Sequence, residues 1–150
     1  MNELETKIAQ LLATQYLGVL STSRNGHPYA SLVGFARAEH LSRILFATHR
    51  ATRKYANIQG DTRVSLLIDS RTNQVEDFRS AAAVTALGVA GEVGPGRYEA
   101  LEKLFLERHP HLQEFVQSPG CALCEITVHR YTVVQRFQDV MELDFDHTTN

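Results

Sequence analysis

The chain has 150 residues, 43% of them hydrophobic and 21% charged, with a formal net charge of −2 and two cysteines. That length suits one domain, spanning residues 1–150, whose single core needs no disulfide or metal to hold it together. A near-neutral balance without long like-charge runs gives no support to generic binding of nucleic acid or of an anionic membrane.

Glu3, Glu5 and Lys7 interrupt the first residues before a signal-type apolar run can form. No stretch reaches the length of a membrane span, so the expectation is a cytoplasmic protein. Leu4, Ile8, Leu11 and Leu12 recur at helical spacing, and residues 2–15 read as an amphipathic helix that lays one apolar stripe on the body of the fold. Residues 16–22 are rich in β-formers, Asn25-Gly26 is a strong hairpin signal, and 28–38 can return antiparallel to the first strand. A turn over 39–42 leads to a strand at 43–48, then a short helix through 58, a Gly60-Asp61 break and a buried strand at 63–68.

Residues 69–80 form a polar loop after that strand, a common place for binding groups, although an ordinary surface loop fits equally. Over 83–93 a strand pattern is interrupted by Ala86, Gly88, Ala90 and Gly91, which suggests close approach by another backbone or a ligand, or else a bulge. Pro95-Gly96 then stops the strand, a helix runs to 108, and a second short helix follows Pro110 through 116. Two further strands, 122–128 and 131–137, resume the sheet, and the polar tail 144–150 is expected to fray. Six or seven strands joined mostly by hairpins, with flanking helices, make an α+β fold with a small antiparallel barrel. Helices do not alternate regularly with strands and no G-x-G-x-x-G turn occurs, which argues against a doubly wound fold.

The densest functional signal lies at 46–58, where His49, Arg50, Arg53 and Lys54 crowd the junction between a strand and a helix. A helix N-terminus is already positive, so basic residues in its first turn are unfavourable unless an anion binds there. With Thr48 and Thr52 as hydroxyl donors, phosphate is the natural occupant; a solvated basic helix face is the other reading. Cys121 and Cys124 have C-x-x-C spacing but no second cysteine pair. Adding His109 and His111 makes a zinc set on paper, yet His-Pro-His spacing suits one tetrahedral site poorly, so buried strand cysteines and no metal are expected.

Element order and several local motifs resemble the pyridoxamine 5′-phosphate oxidase-like, FMN-binding split-barrel superfamily. The carriers are Leu17-Gly18-Val19-Leu20-Ser21-Thr22, Gly26-His27-Pro28-Tyr29-Ala30-Ser31-Leu32-Val33, Leu45-Phe46-Ala47-Thr48, Thr52-Arg53-Lys54 with Asn57-Ile58, and Thr62-Arg63-Val64-Ser65-Leu66-Leu67. The resemblance implies that Thr52, Arg53 and Lys54, with Thr48, clamp the phosphate of FMN. It also implies that Ala30, Ser31, Leu32 and Val33 lie along the isoalloxazine ring. Family members bind FMN at a homodimer interface, so Asn73 and Gln74 from the loop after the fourth strand, and Arg136 near the C-terminus, are the expected contacts from a second subunit.

The oxidase proper is a poorer match, because its second strand carries basic FMN ligands where this chain reads Ala30 to Gly34, and the chain has no Trp. The segment 26–36 and the pattern at 109–115 look closer to haem-utilisation and flavin-reductase branches. The resemblance thus implies an FMN-dependent oxidoreductase whose flavin carries the chemistry, with a nicotinamide donor or small organic substrate at the ring. No catalytic acid, base or nucleophile is indicated. The alternative is a binding protein: a flavin carrier, a haem-binding or haem-degrading relative, or a split barrel that uses the phosphate clamp for another anion. An axial haem ligand could come from His49, His129 or His147, none of them singled out and each also readable as a surface histidine.

Overall fold

A computed structural model of the chain describes residues 1–136 and 138–145. Helix α1 (Glu3–Thr14) starts where the Asn2 side chain accepts a 2.8 Å hydrogen bond from the Glu5 amide, and it buries Ile8, Ala9, Leu11 and Leu12. Strands β1 (Leu17–Arg24) and β2 (His27–Ala38) form the hairpin that Asn25-Gly26 signals, both turn residues having positive φ (52° and 79°). This is the geometry that a two-residue hairpin loop of matching twist requires. Next come β3 (Arg43–His49), α2 (Arg53–Gly60), β4 (Arg63–Asp69), the single turn α3 (Asp77–Ser80) and β5 (Ala82–Glu92). Helices α4 (Pro95–Arg108) and α5 (Gln113–Val116), joined by a 3-10 turn at Pro110–Leu112, precede β6 (Cys121–Gln135) and β7 (Asp139–Asp144).

The sheet order is β3-β2-β1-β4-β5-β6-β7, all antiparallel, and a further pairing of β3 with β6 closes the first six strands into a barrel with β7 outside. Cross-strand partners share a face, so Leu20, Leu66, Ala86 and Tyr131 form one fully buried row inside the barrel. The Tyr131 hydroxyl is satisfied by donating to the Leu41 carbonyl at 2.6 Å. A second, smaller core lies on the outer face, where Ala36, Ala38, Leu45 and Leu123 pack under Leu101 and Phe105 of α4 and Val116 of α5. Asn57 locks α2 to the barrel: its side chain is buried and donates to the Thr22 hydroxyl at 3.0 Å.

The C-terminal region differs from its sequence pattern. The expected strands 122–128 and 131–137 are one fifteen-residue strand, β6, which stays continuous through His129-Arg130. A register shift opposite Leu87/Gly88 skips His129, so the chain bulges there instead of turning. Before the bulge β6 pairs with β3 and β5, and after it with β5 and β7. Asp144, placed by the sequence in a frayed tail, is the last residue of β7 and takes an ion pair from Arg130. Phe137, at the end of the expected last strand, and residues 146–150, including His147, lie outside the described residues.

Gly88 resolves the alternatives left open for the 83–93 strand. A β-carbon there would fall against the Thr127 carbonyl of β6, whereas one at Gly91 would meet nothing within 4 Å. Both the bulge and close backbone approach are present, at one residue. Gly88→Ala is therefore expected to destabilise the fold by about 3 kcal/mol or more, against about 1 kcal/mol or less for Gly91→Ala, measured by urea denaturation; equal effects would contradict this close approach.

Candidate functional site

The end of β3 and the start of α2 make a corner braced by its own side chains. Thr52 is the N-cap of α2; its hydroxyl donates to the His49 carbonyl at 2.8 Å and accepts from the Tyr55 amide at 3.4 Å. Thr48, buried beside it, lies 2.9 Å from the Thr52 hydroxyl. The two hydroxyls that the sequence suggests as phosphate donors thus spend their protons on building the cap. The donors left over are the amides of Arg53 and Lys54, which as the first two of the helix have no intrahelical acceptor, and the Lys54 ammonium. Among the described residues Lys54 has no ion-pair partner, and α2 has no acid in its first turn.

Arg50 is not part of this free charge. Its guanidinium binds both carboxylate oxygens of Glu92 (3.1 and 3.0 Å), and the Tyr55 hydroxyl donates to the same carboxylate at 2.7 Å. Those two partners, Arg50 first, hold the Glu92 carboxyl below its usual range. Arg53 turns the other way, 5.2 Å over the Tyr29 ring, and lines a small cavity of about 250 Å³ with Arg24 and His27. The basic cluster therefore divides: Arg50 is bound to Glu92, Arg53 lies against the β1–β2 hairpin, and Lys54 and His49 face a larger cavity.

That cavity, of about 790 Å³, is lined by Leu32, Val33, Thr48, Thr52 and Lys54 among the residues expected from the sequence. Its far wall, which sequence reasoning missed, comes from the α4–α5 segment and the residues before β1, including Tyr16, Arg108, His109, Leu112 and Phe115. No Asp or Glu among the described residues lines it. His109 is fully covered and its Nε2 lies 2.7 Å from the Phe35 carbonyl; since a carbonyl only accepts, Nε2 carries the proton. The available signal was the helix ending at His109-Pro110, which returns α4 over β2, where a β-carbon on Gly34 would touch the His109 ring and Leu112 at ordinary contact distance.

Strand alternation separates the four β2 residues. Leu32, two-thirds exposed, pairs with Val19, which pairs with Leu67, so these three share the outer face, and Ala30 follows the same parity. Ser31 and Val33 turn inward, and the Ser31 hydroxyl is buried with no hydrogen-bond partner among the described residues. Asn73 and Gln74 line a separate cavity of about 590 Å³ with Leu67, Val75 and Phe78, away from Lys54 in this chain. Arg136, with positive φ (53°), is exposed in the turn between β6 and β7. Of the histidines considered for haem, His49 lines the 790 Å³ cavity with its ring edge-on to Phe115 at 4.9 Å, and His129 is exposed at the β6 bulge. Cys121 and Cys124 are buried, free, and three apart on one strand, so they face opposite sides of the sheet and cannot share a metal ion. Burial raises both thiols, Cys124 to about 12.

A six-stranded antiparallel barrel with a seventh strand outside and flanking helices defines a small α+β split barrel, and comparison narrows it. The family model described as pyridoxamine 5′-phosphate oxidase matches residues 4–135, and the chain belongs to that family. Among solved structures, it resembles a haem binding protein from Mycobacterium smegmatis with a TM-score of 0.85 at 17% identity, over 96% of this chain and 59% of that one. The chain thus spans less than two thirds of that relative. An FAD-binding protein from Mesorhizobium loti matches with a TM-score of 0.69 at 14% identity, covering 89% of this chain and 94% of the other. General Stress Protein 26 from Bacillus anthracis matches with a TM-score of 0.69 at 20% identity, over 96% and 100% of the two chains. At these identities the likeness establishes the fold. No protein with a curated description matches the chain. Among the described residues no helix is long and apolar enough to cross a membrane.

Burial, reinforced by the nearby Arg108 and His111 charges, holds His109 below its ordinary value of 6.5 despite the Phe35 carbonyl. Between that lowered value and 6.5 the unfolded chain binds more protons than the folded one, so His109 subtracts stability as pH falls through this window and subtracts nothing above it. His109→Gln, whose amide can still donate to Phe35, is expected to lessen the loss of stability between pH 7 and 5 relative to the parent in urea titrations. An unchanged pH slope would show that His109 titrates as in the unfolded chain.

Proposed function

We propose that the protein binds FMN in the 790 Å³ cavity and, as a homodimer, uses it as an oxidoreductase on a small organic substrate. The observation that carries this reading is a helix start with unpaired amides and Lys54, opening into a cavity that no carboxylate lines, beside the exposed apolar face of β2. The donor set fits a phosphate: backbone amides at a helix N-terminus and an ammonium attract an anion without having to give up another partner. Leu32 and the small Ala30 fit a flat ring laid against the strand. When bound, FMN supplies the electron transfer, and the chain supplies binding, orientation and exclusion of water.

Dimerisation has its own support. The outer row Leu32, Val19 and Leu67 leads toward Val75 and Phe78, both well over half exposed, and Leu87 is exposed on the same sheet. A contiguous apolar area of this kind is characteristic of an interaction surface. Across such an interface, Asn73, Gln74 and Arg136 of a second copy would reach the flavin, as the resemblance implies. Haem is the second reading, favoured by His49 in the wall of the same cavity.

Purified or FMN-reconstituted protein is expected to be yellow and to bleach on mixing with NADH or NADPH in a stopped-flow instrument. Binding without bleaching by any donor would make it a carrier, and a Soret band on adding haem with no FMN binding would favour the haem reading. Lys54→Ala should weaken FMN binding about tenfold or more, from roughly 1.5–3 kcal/mol for one charge-assisted contact, whereas Arg53→Ala, whose guanidinium lies over Tyr29 in the smaller cavity, should weaken it less. Retained affinity in Lys54→Ala would put the phosphate elsewhere. Val75→Asp with Leu87→Asp should convert a dimer to a monomer in sedimentation equilibrium; an unaffected dimer would place the interface on another face.

A further inference from the structure

The large cavity has two basic walls, and FMN binding uses only one. In the sheet order β3-β2-β1, the Thr52 and Lys54 corner lies on the β3 side, while Arg108 stands on the β1 side at the end of α4. Arg108 is anchored twice: Nη2 donates to the Gln15 carbonyl at 2.8 Å, and the guanidinium lies 4.3 Å over the Tyr16 ring. These contacts fix the plane of the fork and leave four of its five N–H groups, one of them on Nη2, without an acceptor among the described residues. Among the described residues no carboxylate in the cavity wall compensates the charge. Leu112, partly buried, and Phe115, more exposed, add an apolar lining to the same wall, over the fully buried Phe105.

A planar cation fixed at the edge of an apolar wall complements a planar anion, since a guanidinium takes a carboxylate through parallel N–H bonds. We infer that the α4–α5 wall is a substrate subsite that takes a small aromatic carboxylic acid, with its carboxylate on Arg108 and its ring against Leu112 and Phe115. This rests on the FMN reading, which fills the Lys54 side and leaves the Arg108 side for the substrate.

Benzoate and its uncharged isostere benzamide are the probes, titrated by calorimetry into FMN-loaded and FMN-free protein. Benzoate is expected to bind about tenfold or more tightly than benzamide, as one charge-assisted contact warrants. Arg108→Met should abolish that preference while FMN affinity stays at the parent value, Arg108→Lys should restore part of it, and Phe115→Ala should weaken both probes alike. Equal affinity of the parent protein for the two probes, or a benzoate preference that survives in Arg108→Met, would overturn the inference. Should Arg108→Met fail to fold, the comparison of the two probes in the parent and in Phe115→Ala decides it. Benzoate preference in FMN-free protein that cannot take up FMN would overturn the cofactor reading alone, and normal FMN binding without benzoate preference would overturn the subsite alone.

Discussion

The pairing of β3 with β6 is the constraint on which the rest depends. It runs from Arg43 opposite Thr127 to His49 opposite Cys121 and turns a seven-stranded sheet into a closed barrel. Closure removes two open edges, whose backbone groups would otherwise need partners, and creates an interior that Leu20, Leu66, Ala86 and Tyr131 fill. It also sets His49 beside the chain leaving α5, where the Arg50 amide donates to the Gly120 carbonyl at 2.9 Å. The corner before α2 and the wall from α4–α5 are thereby held against each other.

From that closure the site follows by packing. The small residues Ala36 and Ala38 on β2 and Leu45 on β3 let α4 lie close on the outer face, and Phe105 fills the space between. Toward Leu32 the helices no longer cover the strand, so β2 is covered at one end and bare at the other. The cavity sits at that boundary. Its polarity comes from what the packing leaves unpaired: a helix start with no acid in its first turn, and an arginine whose fork is only partly used.

The threonines show how local chemistry and function divide. Thr52 donates to the His49 carbonyl and shares one hydrogen bond with Thr48, which stiffens the corner and leaves the Arg53 and Lys54 amides and the Lys54 ammonium as its free donors. Arg50 and Glu92 perform a similar task from the flank, with Tyr55 tying α2 to the end of β5. The neighbours of a binding residue are here mostly occupied in holding it.

The sequence by itself determined what depends on nearby residues. Asn25-Gly26 specified a hairpin because its positive φ values suit few other pairs, helical spacing marked the buried face of α1, and Thr52 before two basic residues marked a helix start. The antiparallel barrel and the family were legible for the same reason, as a series of local motifs in order. Only the tertiary structure decided the continuity of β6 through His129, which rests on partners far along the chain: β3 before the bulge, β7 after it and β5 throughout. It alone divided Arg50, Arg53 and Lys54 among three surroundings, since adjacent residues on a helix start point in different directions and meet whatever the barrel places there. It alone brought Arg108 and His109 opposite Lys54, because residues more than fifty positions apart become neighbours only when the sheet closes.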